Sequence, residues 1–304
     1  ASQAGVAILQ KGGNAIDAAI AVAAVLNVVE PLMSGIGGDG FLMIYMRKSD
    51  ELEVVNATGA APFGATRDVY LEKGIPRKGI LSVSVPGLLQ GWTEAHGKYG
   101  KLKLEEVLEP AIDLADNGFP VSHVVSAAIA EDKLLCEFPT SRDIFTRDGV
   151  PLKPGEILYQ RDLARTFRKI SEEGSQTFYQ GEIGRKIGEF VQSQGGLLTI
   201  KDLAAFRTRW QDPISTTYRD HIVYEAPPNS SGHILLQELN IVEGYDLNSL
   251  GLNTAESIHL MVEAKKIAYD DRNRLAGDPR VVEWPLDEVI SKEYDDRRRP
   301  EIQL

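Results

Sequence analysis

The stretch from Gly12 to Met46, GGNAIDAAIAVAAVLNVVEPLMSGIGGDGFLMIYM, constrains the fold more than any other part of the chain. Asn14 can cap a helix by offering its side-chain oxygen to unpaired N–H groups, and Ala15 to Val29 then reads as helix until Pro31 stops it. That helix is apolar nearly all round. A chain in water tolerates such a helix only where other layers cover it, so it is expected in the middle of a domain. Its alanines, among them Ala18, Ala21 and Ala24, let neighbouring backbone come close. After the turn from Ser34 to Gly40, Phe41 to Met46 is a continuous apolar run of strand length.

Gly35, Gly37 and Gly40 spell the GxGxxG of dinucleotide-binding loops, but that fingerprint needs a strand before it and a helix after it. Here the order is helix, glycines, strand, so the glycines read as a tight turn. The apolar helix is also shorter than the roughly 20 residues of a bilayer crossing, and Asp17 interrupts it, so no membrane partner is expected. A formal net charge of −11 argues against nucleic acid as a general partner. The one dense basic cluster, Arg297 to Arg299, adjoins Asp295 and Asp296 and reads as a solvated terminal segment.

Cys136 is alone, which permits no disulfide within the chain and fits a small structural residue better than a nucleophile. With no leader pattern ahead of the helical run from Ser2 to Lys11, a cytoplasmic location is expected, with a periplasmic or secreted one as the alternative. His96, His123, His221, His233 and His259 are scattered without metal-ligand spacing; no metal and no cofactor are expected. Glu105–Glu106 and Asp270–Asp271 read as solvated helix faces, and Ser230–Ser231 as the cap of the helix that follows.

At 304 residues, 43% hydrophobic and 25% charged, the chain is long enough for a large core. It is expected to form one structural unit over residues 1–304, with a helical middle region over about 88–206. Leu52 to Val55 reads as a strand that forms a hairpin with Phe41 to Met46. Asn56, Ala57, Thr58 and Gly59 then lead out into a loop, where sites are often built. Val69 to Lys73 and Ile80 to Val85 are short apolar runs. Leu88 to Asn117 reads as two helices, the first ending at Gly97, and Tyr159 to Ile170, Gly181 to Ser193 and Asp202 to Phe206 follow, with Thr199 and Asp202 as a capping box. Strand character returns at Ile214 to Tyr218 and Ile222 to Tyr224, before helices at His233 to Glu243 and Glu256 to Leu275. Motif physics alone thus describes an α/β scaffold with no complete catalytic constellation.

The opening GGNAIDAAIAVAAVLNVVEPLMSGIGGDGF closely resembles the γ-glutamyltranspeptidase large subunit, including its cephalosporin acylase-like branch. The likeness continues in order through AAPFGATRD (60–68), SVPGLLQGW (84–92), EPAIDLADNGFPV (109–121), FYQGEIG (178–184), GGLLTIKDLAAF (195–206), PISTTYR (213–219), PPNSSGH (227–233) and AYDDRNRLAGDP (268–279). It therefore covers nearly the whole chain.

The resemblance implies an α+β fold, a four-layer αββα sandwich of the N-terminal nucleophile hydrolase type, completed by a small subunit from the same precursor. In that family the precursor cuts itself, and the new N-terminal threonine of the small subunit is both nucleophile and, through its α-amine, its own general base. The implied reaction is acyl transfer from a small-molecule amide of the γ-glutamyl or glutaryl type. No catalytic residue is expected in this chain, since residue 1 is Ala1 and the Thr216–Thr217 pair lies in the PISTTYR motif. A non-catalytic binding relative is the alternative reading.

Two departures from the family pattern bear on specificity. Transpeptidases carry an Arg-Glu-x-Ala-Pro segment whose arginine pairs with the substrate α-carboxylate. Aligning on Ala61–Pro62 puts Thr58 at the arginine position and Gly59 at the glutamate position, making these two the expected substrate-binding residues. A threonine hydroxyl cannot replace a bidentate cation, which favours an acyl group without an α-amino acid head. The second departure is Gly-Gly-Asp-Gly at 37–40 in place of four glycines; Asp39 reads as a cap of its own turn, with an effect on the nearby site as the alternative.

Overall fold

A computed structural model describes residues 1–72 and 74–303. The chain, expected as one structural unit, packs as two compact units: Ala1–Phe41 with Ala57–Arg209, and Leu42–Asn56 with the residues from Trp210 on. Among the described residues no helix is long and apolar enough to cross a membrane.

The first unit is mainly helical. Helix α1 (Ser2–Gln10) leads through Gly12 and Gly13 into α2 (Ala15–Val29), the expected apolar helix. Asn14 Oδ1 accepts the N–H groups of Ile16 (2.9 Å) and Asp17 (3.1 Å), while Asp17 Oδ2 accepts the Asn14 N–H (2.9 Å), closing a capping box. Asp17 interrupts the apolar run for a reason: it is fully buried and also accepts the N–H groups of Lys101 and Leu102. Those residues join α4 (Leu88–Tyr99) to α5 (Leu104–Asn117), both of which pack on α2. The α2 residues Ile20, Ala21, Ala24, Val25 and Val28 lie in the core, whereas Ala15 and Ala19 remain exposed, so not every face is covered within this chain.

Among the described residues between α2 and α4 the only α-helical segment is the single turn α3 (Arg67–Tyr70). The apolar run from Val69 toward Lys73 thus starts inside a helical turn, and Lys73 itself lies outside the described residues. Helix α4 runs on past Gly97 to Tyr99, where Gly100 takes over with extended backbone. On the far side of α5 lies α6 (Arg161–Glu173), with Phe167 and Ile170 wholly buried. Helices α7 (Glu182–Ser193) and α8 (Ile200–Ala205) complete this region, the latter started by the expected Thr199–Asp202 capping box.

The second unit holds the strands that flank the helical stretch. Strands β1 (Gly40–Met46), β2 (Glu51–Ala57) and β3 (Arg209–Gln211) form one sheet in that order. Strands β4 (Ile214–Tyr218) and β5 (His221–Glu225) form an antiparallel hairpin with Thr216 opposite Val223. Arg219 and Asp220 take the left-handed backbone its two-residue turn demands. Helices α9 (Gly232–Glu243) and α10 (Ala255–Leu275) pack through Ile241, Leu260, Ala264 and Ile267, and α11 (Lys292–Arg298) closes on α9. At the start of α9 it is Ser230, one residue before the N-cap Ser231, whose Oγ accepts the Gly232 N–H (3.0 Å).

A polar core joins these three helices and corrects two readings. Asp271, read as part of a solvated pair, is fully buried and accepts bonds from Gln237 Nε2 (2.7 Å), Arg298 Nη1 (2.6 Å), Arg274 Nη2 (2.6 Å) and the Tyr294 hydroxyl (3.0 Å). Burial pushes its pKa up, but these donors outweigh it and hold the carboxyl below the usual range. The arginine run is likewise no solvated tail, because Arg298 serves Asp271 and Arg299 donates to the carbonyls of Asn240 and Ile241. Helix periodicity puts Asp271 one residue from exposed Asp270, and sequence spacing cannot tell which of the two turns inward.

Candidate functional site

The loop leaving β2 is held in place by contacts within the first unit. Gly38 donates its N–H to Gly35 O (2.9 Å), closing the glycine turn after α2, and its own carbonyl accepts the N–H groups of Gly87 and Leu88 (3.0 Å each). The turn therefore caps the start of α4, which has no side-chain cap of its own. Gln90, one turn in, donates its N–H to the Tyr179 hydroxyl (3.0 Å). Burial raises the Tyr179 pKa, keeping the phenol neutral, and its ring stacks on Phe206 with centroids 5.9 Å apart.

Asp39 sits at the same helix end, where the α4 dipole favours an anion. Its Oδ1 accepts the Gly59 N–H (2.7 Å), its Oδ2 accepts the Ser84 hydroxyl (3.3 Å), and the Gly87 N–H also reaches the carboxylate. Instead of capping its own turn, Asp39 clasps the 58–60 and 84–87 segments together. One edge of the side chain stays open to solvent, yet desolvation by the surrounding packing holds its pKa above the usual carboxylate range, with the three hydrogen bonds pulling the other way.

Gly59 is where it is because nothing larger fits. A Cβ built there would lie 1.5 Å from Val85 O, and one on Gly87 would lie 2.2 Å from Ala57 O. The two segments thus run backbone against backbone, with the Val85 N–H donating to Ala60 O (3.0 Å). The position aligned with the family's glutamate has no room for a side chain, and the carboxylate present is that of Asp39 from the glycine turn. Thr58 and Gly59, the expected substrate-binding pair, are both half-buried beside this clasp.

The far end of the loop is pinned as well. Phe63 donates its N–H to Asp202 Oδ1 (2.6 Å), while Asp202 Oδ2 accepts the N–H (2.7 Å) and hydroxyl (2.6 Å) of Thr199. Asp202 was legible as a helix cap, but its second task joins residues 139 apart, and no local pattern encodes that. The same holds for Ser84 and Tyr179. The assembled groups are donors, acceptors and the carboxylates of Asp39 and Asp202, suited to binding and orienting a substrate rather than attacking it. Among the described residues no group of three His, Cys, Asp or Glu could hold a metal ion. Cys136 is a half-buried free thiol, and His233 is buried edge-on against Trp284 (4.6 Å between ring centroids).

Comparison with known proteins gives a consistent result. The sequence profile of the Gamma-glutamyltranspeptidase family matches residues 1–304. The glutathione hydrolase-like YwrD proenzyme of Bacillus subtilis (strain 168) is 42% identical over 305 residues, covering 99% of this chain and 58% of that protein. The crystal structure of Helicobacter pylori gamma-glutamyltranspeptidase superposes with a TM-score of 0.95 at 34% identity, over 99% of this chain and 89% of that one. Cephalosporin acylase from Bacillus halodurans superposes with a TM-score of 0.92 at 36% identity, over 99% of this chain and 57% of that one. The chain spans little more than half the length of the curated relatives it matches.

Proposed function

Because the chain belongs to the γ-glutamyltranspeptidase family, we propose that it is the large subunit of an autoprocessed amidohydrolase or acyltransferase that cleaves γ-glutamyl or glutaryl-type amides. The nucleophile is then the N-terminal threonine of a small subunit cut from the same precursor, with its α-amine as base. It attacks the amide carbonyl, expels the amine as the proton passes to it, and leaves an acyl ester for water or an amine acceptor. This chain contributes the wall that holds the substrate.

The observation that carries the specificity is the Asp39–Gly59 clasp beside Thr58. In place of a guanidinium the wall presents a hydroxyl and, one residue away, a carboxylate. Such a surface gives the terminal carboxylate of either acyl chain no guanidinium at Thr58, so the α-amino acid head of a γ-glutamyl group is not what this position recognises. A partner from the same precursor is supported by the chain's share of its relatives' length and by the exposed Ile258, Met261 and Val262 on one side of α10.

The test is to purify the product of the full precursor, sequence the N-termini of its chains, and compare kcat/KM for glutaryl and γ-glutamyl anilides. The expected result is a second chain beginning with threonine and turnover of at least one of the two anilides. A single unprocessed chain that turns over neither anilide would overturn the reading.

A further inference from the structure

Beyond the clasp, the same two segments open into a groove that the reaction as derived does not use. It has a volume of about 560 Å³, within the range of small-molecule sites. Ser84, which bonds Asp39, is one of its lining residues; Tyr70, Leu71 and Ile75 give it apolar surface, and Arg67 also lines it. The wall is held rigidly where it matters, since the Tyr70 hydroxyl donates to Leu81 O (2.9 Å) across the groove.

Two features indicate what the groove takes. Leu71 and Ile75 are 59% and 72% exposed, an apolar surface that water covers poorly and an apolar body would cover well. Arg67 is exposed, and among the described residues no carboxylate pairs with its guanidinium. An exposed guanidinium lining an apolar slot matches a planar carboxylate at the end of an apolar group. Ser84 belongs both to the groove and to the clasp, so the groove adjoins the clasp.

We propose that this groove is a subsite for an apolar group ending in a carboxylate, its body against Tyr70, Leu71 and Ile75 and its carboxylate on Arg67. The inference deepens the amidohydrolase reading and rests on it for the groove's role, but binding is measured without turnover. The carboxylate belongs either to the acyl chain or to the leaving amine, and the two sources share this chemistry.

The experiment is calorimetric titration of the processed full-length protein with 4-phenylbutyrate and with its neutral isostere 4-phenylbutyramide. The expected result is tighter binding of the acid, weakened about tenfold by Arg67→Gln with the amide unaffected, and weakening of both ligands by Ile75→Ser. Absence of acid binding at millimolar concentration, equal affinity for acid and amide, or indifference to Arg67→Gln overturns the proposal. Two substrate series then separate the sources: Arg67→Gln raises KM for anilides of dicarboxylic acids if the carboxylate is on the acyl side, and for acyl aminobenzoates if it is on the leaving side. No change in either series removes the groove from the reaction. A protein that binds phenylbutyrate through Arg67 yet cleaves no amide leaves the groove standing and overturns the amidohydrolase reading instead.

Discussion

Gly59, next to Thr58, and Asp39 act as one feature although they lie 20 residues apart in the sequence. Gly59 has lost its side chain to the approach of Val85 O, and its N–H is taken by Asp39. This coupling makes Thr58→Arg an incomplete route to γ-glutamyl specificity, because a new guanidinium has Asp39 as a neighbouring partner. Thr58→Arg alone is expected to raise kcat/KM for γ-glutamyl anilide modestly, and Thr58→Arg with Asp39→Asn by roughly tenfold or more, the scale of a charge-assisted pair. No gain in either variant would remove Thr58 from the specificity wall. The loop position of Thr58 was legible from the strand before it and Pro62 after it. The role of Asp39 was not, since its partners lie 20 and 45 residues away.

Among the elements, the junction of α9, α10 and α11 has an unequal pair of buried acids. Asp271 is surrounded by donors, whereas Asp295 Oδ2 accepts from Asn240 Nδ2 (3.0 Å) and Gln237 is its other hydrogen-bond partner. Desolvation, with the charge of Asp271 adding to it, pushes the Asp295 pKa up to about 7. The sign follows from proton linkage: between the ordinary value near 4 and about 7 the folded state binds a proton that the unfolded state does not, so this group's stabilisation falls as pH rises through that window. Asp295→Asn is expected to leave stability near pH 4 little changed and to raise it at pH 8 by about 2 to 4 kcal/mol. Urea denaturation across that range checks it; parallel curves for the two proteins would mean that Asp295 does not titrate in the window. Helix boundaries here were readable from caps and apolar spacing, but the inward turn of Asp271 and Asp295 was not. Burial of a charge depends on donors brought by other helices.

For the whole molecule, the proposed reading gives this chain the substrate wall and a partner chain the nucleophile. Residues 1–304 expressed alone are expected to show no turnover of glutaryl or γ-glutamyl anilide above the buffer rate, and the processed precursor to show it; activity in the isolated chain would place the nucleophile here. The sequence by itself determined the α+β class, the family, the buried helix from Ala15 to Val29 with its Asn14 cap, and the hairpins, because caps, turn residues and apolar period act over a few residues. Only the tertiary structure decided the division into two compact units, the clasp of Asp39 on Gly59, the burial of Asp271 and Asp295, and the groove beside Arg67. Each of these depends on groups far apart in the chain meeting at hydrogen-bond or van der Waals distance, and that information lies in packing rather than in local order.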